Sequence, residues 1–157
     1  MSIHPKLTGL AGKWKGTNRL HMPWMPNPLH ESASDALVTE RINGQCLEIA
    51  YTWEYEGTQH NGLLILCGSP KSNAVNAVNA VWTDSWHSAN VLMICEGTSD
   101  ENGRVSIKGN YAVPDHPDWG WRTDIIPNGE AFDYIMYNIS PEGAEELAVE
   151  TRFEPAG

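Results

Sequence analysis

Turn-forming clusters recur about every ten to fifteen residues along the chain, and this spacing limits the possible folds more than any other feature. The segments between them are short and alternate apolar with polar residues, the two-residue period of half-buried strands. Short antiparallel strands joined by tight turns leave exposed sheet edges unless the sheet closes on itself. We therefore expect an all-β fold, a single antiparallel ten-stranded β-barrel occupying residues 1–157 as one domain. At 41% apolar and 19% charged, the composition suits one buried core.

Gly12 to His21 opens the series, with Trp14, Gly16, Asn18 and Leu20 on one face and Lys13, Lys15, Thr17 and Arg19 on the other. Met22 to His30 carries Pro23, Pro26 and Pro28, which remove backbone donors and fix φ, so this stretch reads as a stiff loop at a barrel mouth. Ser34 to Ile42 and Cys46 to Tyr55 flank the hairpin signal Asn43-Gly44, and Glu56-Gly57 turns the chain into Gln59 to Cys67. Ala74 to His87, Val91 to Glu96, Arg104 to Val113, Trp119 to Ile126, Ala131 to Ile139 and Glu145 to Phe153 complete ten strands. The last could be helical by propensity, but Leu147, Val149, Thr151 and Phe153 alternate as in a strand. The period of three in Ala74 to Val81 fits neither strand nor helix cleanly.

Ten basic residues against twenty acidic ones give a formal charge of -10, which disfavours nucleic acid and anionic membrane surfaces as partners. Met1 to Lys13 lacks the apolar run of a signal peptide, and a cytoplasmic location is expected. Cys46, Cys67 and Cys95 form no CxxC pair, so reduced, buried thiols are expected and no structural metal site.

Several of these residues carry a resemblance. Gly12-x-Trp14-x-Gly16 is similar to the opening of lipocalin-like calycins and of nitrobindins. Trp82-x-Asp84-Ser85, with Met93 and Gly97 beyond it, resembles a bacterial lipocalin-like family of unknown function, as do Gly109, Arg122 in Gly-Trp-Arg-Thr, Met136 through Pro141, and Gly143. The resemblance implies a ten-stranded calycin barrel that self-associates, as a homodimer for instance, and it brings no catalytic residue list. It also implies Trp14 as a plug in the barrel floor, with Arg152 as a cation–π partner. The helical lid of the fatty-acid-binding branch would fall where this chain has three prolines, so lid-gated uptake is not expected.

A barrel of this kind usually holds something. Seven tryptophans, with Trp82/Trp86 and Trp119/Trp121 at even spacing, point to an aromatic wall for a small apolar or aromatic ligand. Candidate walls are Trp82, Trp86, Tyr111, Trp121 and Tyr134, and candidate polar anchors are Asp84, Glu40 and Arg122. Arg122 alternates with Trp121, so only one of the two can face inward. An inward Arg122 would clamp a carboxylate.

Three competing readings remain. In an isomerase, cyclase or hydratase, Asp84 or Glu40 would act as a general acid or base. In a haem protein of the nitrobindin kind, His87, His116, Tyr134 or Met136 would have to supply the ligand. In an interaction protein, the barrel would be filled by its own tryptophans. Asp84, Ser85 and His87 are the residue types of a hydrolase triad, but on a continuous strand Asp84 points away from the other two. The rigid segment Val113 to Gly120, with Asp115, His116 and Asp118, is a candidate site rim. No HxH or HExxH spacing occurs among the six histidines, and no cofactor is assigned.

Overall fold

The computed structural model describes residues 3–69 and 76–157. A short helix, α1 (Pro5–Thr8), precedes ten strands: β1 (Gly12–His21), β2 (Leu29–Arg41), β3 (Cys46–Tyr55), β4 (Thr58–Gly68), β5 (Ala77–Asp84), β6 (Met93–Ser99), β7 (Val105–Val113), β8 (His116–Asn128), β9 (Ala131–Ile139) and β10 (Glu145–Pro155). Each strand pairs antiparallel with its sequence neighbours, and β1 pairs with β10 to close the barrel. The expected all-β, ten-stranded barrel is the observed fold.

The turns follow local chemistry. Asn43 and Gly44 both have positive φ, as do Glu56 and Gly57, which is the backbone of tight hairpin turns whose twist matches the flanking strands. Strand β2 starts at Leu29, five residues before the expected Ser34, because His30 and Leu29 continue the pairing with Leu20 and His21. The fifth strand stops at Asp84 rather than His87. Residues 70–75, which include the start of the Ala-Val-Asn repeat, lie outside the described residues, and Ala77 to Val81 of that repeat are in β5. Glu145 to Arg152 is strand.

The two ends of the barrel differ. At the lower end, α1 lies across the opening: the Ile3 N–H donates to Gly44 O at 3.2 Å, and His4 Nε2 contacts Glu101 O at 3.0 Å. Beneath it sits a dense layer in which Leu7, Phe132 and Phe153 are fully buried. Trp14 packs edge-on against Phe132 at 4.8 Å and donates its indole N–H to Leu10 O at 2.8 Å. Trp14 therefore belongs to the floor. Its expected partner Arg152 does not, because Arg152 faces solvent and pairs with Asp133 at 3.4 Å.

Cys46 and Cys67 correct the expectation of three reduced thiols. They are directly opposed in the β3–β4 register and joined by a disulfide. Cys95 is free and buried, and burial pushes its thiol up to about 11. None of the helices among the described residues is long and apolar enough to cross a membrane.

Candidate functional site

The upper half of the barrel is not filled. A pocket of about 600 Å³ opens there, bounded by Leu20, Trp82, Met93 and Trp121 inside and by Met22, Pro23 and Trp24 at the mouth. That volume lies within the usual range for small-molecule sites, roughly 300–1,000 Å³. Strand parity explains the walls. Trp121 alternates with outward Arg122, and Trp82 alternates with Val81 and Thr83, so both indoles enter the barrel. They stack at 5.3 Å between ring centroids with only 10° between planes.

The proline-rich stretch Met22–Pro28 forms one lip, as its composition implies. The Met22 N–H donates to Pro28 O at 2.7 Å, which draws the loop into a closed bow, and Met22 turns inward while Trp24 stays 70% exposed. The opposite lip is the segment after β5, where Val91 and Leu92 are also exposed. Together the lips give the mouth an apolar rim.

Asp84 organises that second lip. Its side chain is buried, and its Oδ1 accepts from the backbone N–H of Trp86 at 3.1 Å and of Ser88 at 2.8 Å. Ser88 Oγ in turn accepts from the Asp84 N–H at 2.8 Å. An Asp side chain that captures N–H groups just ahead of it ends a strand and starts a turn. The chain folds back at this point, and His87 Nδ1 comes to 2.8 Å from Asp84 Oδ2. The opposition of Asp84 and His87 inferred for a continuous strand does not hold, because the strand stops at Asp84. Ser85 lies elsewhere, exposed, with its Oγ 3.0 Å from His60 Nδ1, so no triad assembles.

His87, expected from the sequence only as a candidate haem ligand, is a residue that the wall and anchor assignments left out. It lines the pocket and is ringed by indoles, with centroids at 4.6 Å to Trp86, 5.2 Å to Trp121 and 5.4 Å to Trp53. The signal available was Asp84 followed by a Ser-rich, turn-forming stretch ending in Asn90, which argues against a strand running on to His87.

The structure distributes the expected site residues unevenly. Trp82, Trp86, Tyr111 and Trp121 line the pocket, and Tyr111 donates to Asn138 Oδ1 at 2.6 Å. Asp84 stands behind the wall, where it holds His87. Tyr134 is fully buried in the core beside Tyr51, with ring centroids 5.1 Å apart, and does not line the pocket. Arg122 faces outward, 4.1 Å over the Tyr137 ring, and is tied to Glu145 and to Asp124. The inward carboxylate clamp therefore does not form. Glu40 is exposed near the lower end of β2, next to the β2–β3 turn, because the barrel interior ends at Val38 on that strand.

The rim expected from Val113 to Gly120 is also corrected, since Asp115, His116 and Asp118 are exposed and none of them lines the pocket. Of His87, His116, Tyr134 and Met136, only His87 reaches the pocket, so a haem would have to rely on it. A barrel filled throughout by its own tryptophans does not match the open upper half. Among the described residues, no group of three or more His, Cys, Asp or Glu side chains is placed to hold a metal ion.

Comparison with known proteins adds the fold and the family. The structure of Rv2717c from M. tuberculosis superposes with a TM-score of 0.65 at 13% identity, covering 99% of this chain and 100% of that one. At that identity the likeness concerns the fold alone. No curated protein matches the chain. The profile of a family described as Protein of unknown function (DUF1579) matches residues 1–154, and the chain belongs to that family.

Proposed function

We propose that this protein binds a small apolar or aromatic molecule in the upper half of its barrel. The observation that carries the reading is the pocket of about 600 Å³ walled by the stacked Trp82 and Trp121 together with Trp86, Met93 and Leu20. Burial is the driving force: apolar ligand surface leaves water at about 25 cal/mol per Å². Trp rings give a planar ligand a stacking face, and Tyr111, Asn110, Asn138 and His87 supply the few polar groups that orient it. The closed floor and open upper end support the lipocalin-like reading of the barrel as a container.

The test is native mass spectrometry of the protein as purified, followed by denaturing extraction and identification of any released compound. A stoichiometric apolar or aromatic compound is the expected result. A Soret band in the same sample would instead make haem the occupant. If Trp82→Ala and Trp121→Ala left the affinity for every bound compound unchanged, the pocket would not be the binding site.

The enzyme reading shifts its chemistry to another residue. Asp84 is sealed by hydrogen bonds and Glu40 is remote, so a general acid or base in this pocket would be His87, oriented by Asp84.

A further inference from the structure

We infer that His87 is a proton acceptor for the bound molecule, and that the ligand is therefore a weak acid, an aromatic compound carrying a phenolic or enolic hydroxyl. This rests on the pocket being the ligand site and specifies which chemistry the site selects.

The geometry fixes the tautomer. The Asp84 carboxylate can only accept, and it already takes two backbone N–H groups on Oδ1, so the hydrogen in its 2.8 Å contact with the imidazole sits on His87 Nδ1. In the neutral ring Nε2 then carries the lone pair. Nε2 has no hydrogen-bond partner among the described residues, and His87 lines the pocket, so this nitrogen is the one left for a ligand. A buried carboxylate behind a histidine holds the ring in one orientation and stabilises the imidazolium once a proton arrives.

Trp86, Trp121 and Trp53 surround the ring. The other titratable groups near the pair are His60 on β4, behind Trp53 and Trp86, and His21, Tyr111 and Glu146 on the pocket wall. His21 is turned to Glu150 at 3.2 Å, and Tyr111 to Asn138. On the inner side of Asp84 lie Tyr51 and Tyr134, whose phenols burial keeps protonated. Glu146 also presents a carboxylate acceptor on the pocket wall, exposed to solvent, and a phenolate band that survives His87→Gln would point to it instead.

The step balances within the pair and the ligand. The ligand O–H bond breaks and its electron pair stays on oxygen, while the proton forms an N–H bond at His87 Nε2. The products are an aryl or enol oxyanion and an imidazolium that donates to it from Nε2 and to Asp84 from Nδ1. No further reactant is needed.

The experiment uses 4-nitrophenol, whose neutral and anionic forms absorb at different wavelengths, with nitrobenzene as the isosteric probe lacking the hydroxyl. Wild-type protein is expected to bind both and to show the phenolate band of bound nitrophenol at a pH below that at which the free compound ionises. His87→Gln should abolish the band and weaken nitrophenol binding by about tenfold, well beyond the loss it causes for nitrobenzene. Asp84→Asn keeps its one oxygen for the Trp86 and Ser88 N–H groups and turns its NH2 to His87 Nδ1, so the ring proton moves to Nε2 and the band should be lost as in His87→Gln.

Nitrophenol that binds without the phenolate band, or a band that survives His87→Gln, would overturn the inference while the pocket reading stands. Binding of nitrobenzene with no binding of nitrophenol would do the same. Failure of both probes in wild-type protein would overturn the aromatic-pocket reading and the inference with it.

Discussion

Trp82 donates its indole N–H to the hydroxyl of Tyr51 at 2.9 Å, and through this bond the pocket wall is fastened to the filled half of the barrel. Tyr51→Phe keeps the ring but leaves a buried N–H unpaired. A loss of about 1–3 kcal/mol in folding stability is expected from urea unfolding. A weaker grip on any pocket ligand should accompany it, since Trp82 loses the group that fixes its ring.

The same tyrosine makes the fold sensitive to alkali. Burial, and next the charge of Asp84, raises the Tyr51 phenol above its ordinary value of 10.0, and burial followed by Tyr51 does so for Tyr134. The unfolded chain releases these protons at a pH where the folded chain still holds them. Their contribution to stability is therefore complete below about pH 10 and declines as the pH rises beyond it. Urea midpoints compared at about pH 9 and about pH 11 should fall in wild-type protein and fall less in Tyr134→Phe.

Gly62 sits opposite Tyr51 in the β3–β4 register, and the Tyr51 ring lies where a side chain on Gly62 would be. A Cβ there would collide with Cζ and the hydroxyl oxygen, so Tyr51 would have to leave Trp82. Gly62→Ala is expected to cost about 1–3 kcal/mol, the range for overpacking a core, despite alanine's better backbone entropy. Thermal unfolding would measure it, and an unchanged midpoint would refute the contact.

Trp121 and Trp119 share a strand face but not a fate. Trp121 is buried and stacked on Trp82 in the pocket, while Trp119 is only half-buried and outside it. Trp121→Ala should lower the affinity for a bound aromatic compound by about tenfold or more, and Trp119→Ala should leave it within about twofold. Calorimetric or fluorescence titration of the two variants would decide the point.

Thiol alkylation counts the cysteine states. Folded, unreduced protein should take up no label, because Cys46 and Cys67 are bonded and Cys95 is buried with its thiol pushed up to about 11. Unfolding without reductant should expose one site and unfolding with reductant three, read as mass increments.

What could be read from the sequence was local. Asn43-Gly44 and Glu56-Gly57 set hairpins by their own backbone preferences, and the alternation through Leu47, Ile49, Tyr51 and Trp53 marks their inward face directly. The disulfide was also within reach, since Cys46 and Cys67 stand at equal distances from the Glu56-Gly57 turn and must face each other across the hairpin. Arg122 was decidable too. It shares its face with Asp124, and the barrel interior takes Trp121, Thr123 and Ile125 more cheaply than an arginine and an aspartate, which pair with each other on the outer side, where Arg104 and Arg122 cover Asp124. The Asp84–His87 pair was harder, because it depends on the strand stopping one residue before Ser85, and side-chain parity carries no information once a strand has ended.

The helix across the lower end of the barrel makes the protein a vessel with one neck. Whatever occupies the upper half has to leave past Trp24 and Leu92, the way it came, before a successor can enter. Exchange of one occupant for another is then sequential, and its rate should level off at the departure rate of the first however much of the second is supplied. On the proposed function, the retention time of a bound molecule would be a property of the two lips, to be lengthened or shortened by substitutions at Pro23 or Val91 that leave the aromatic walls untouched.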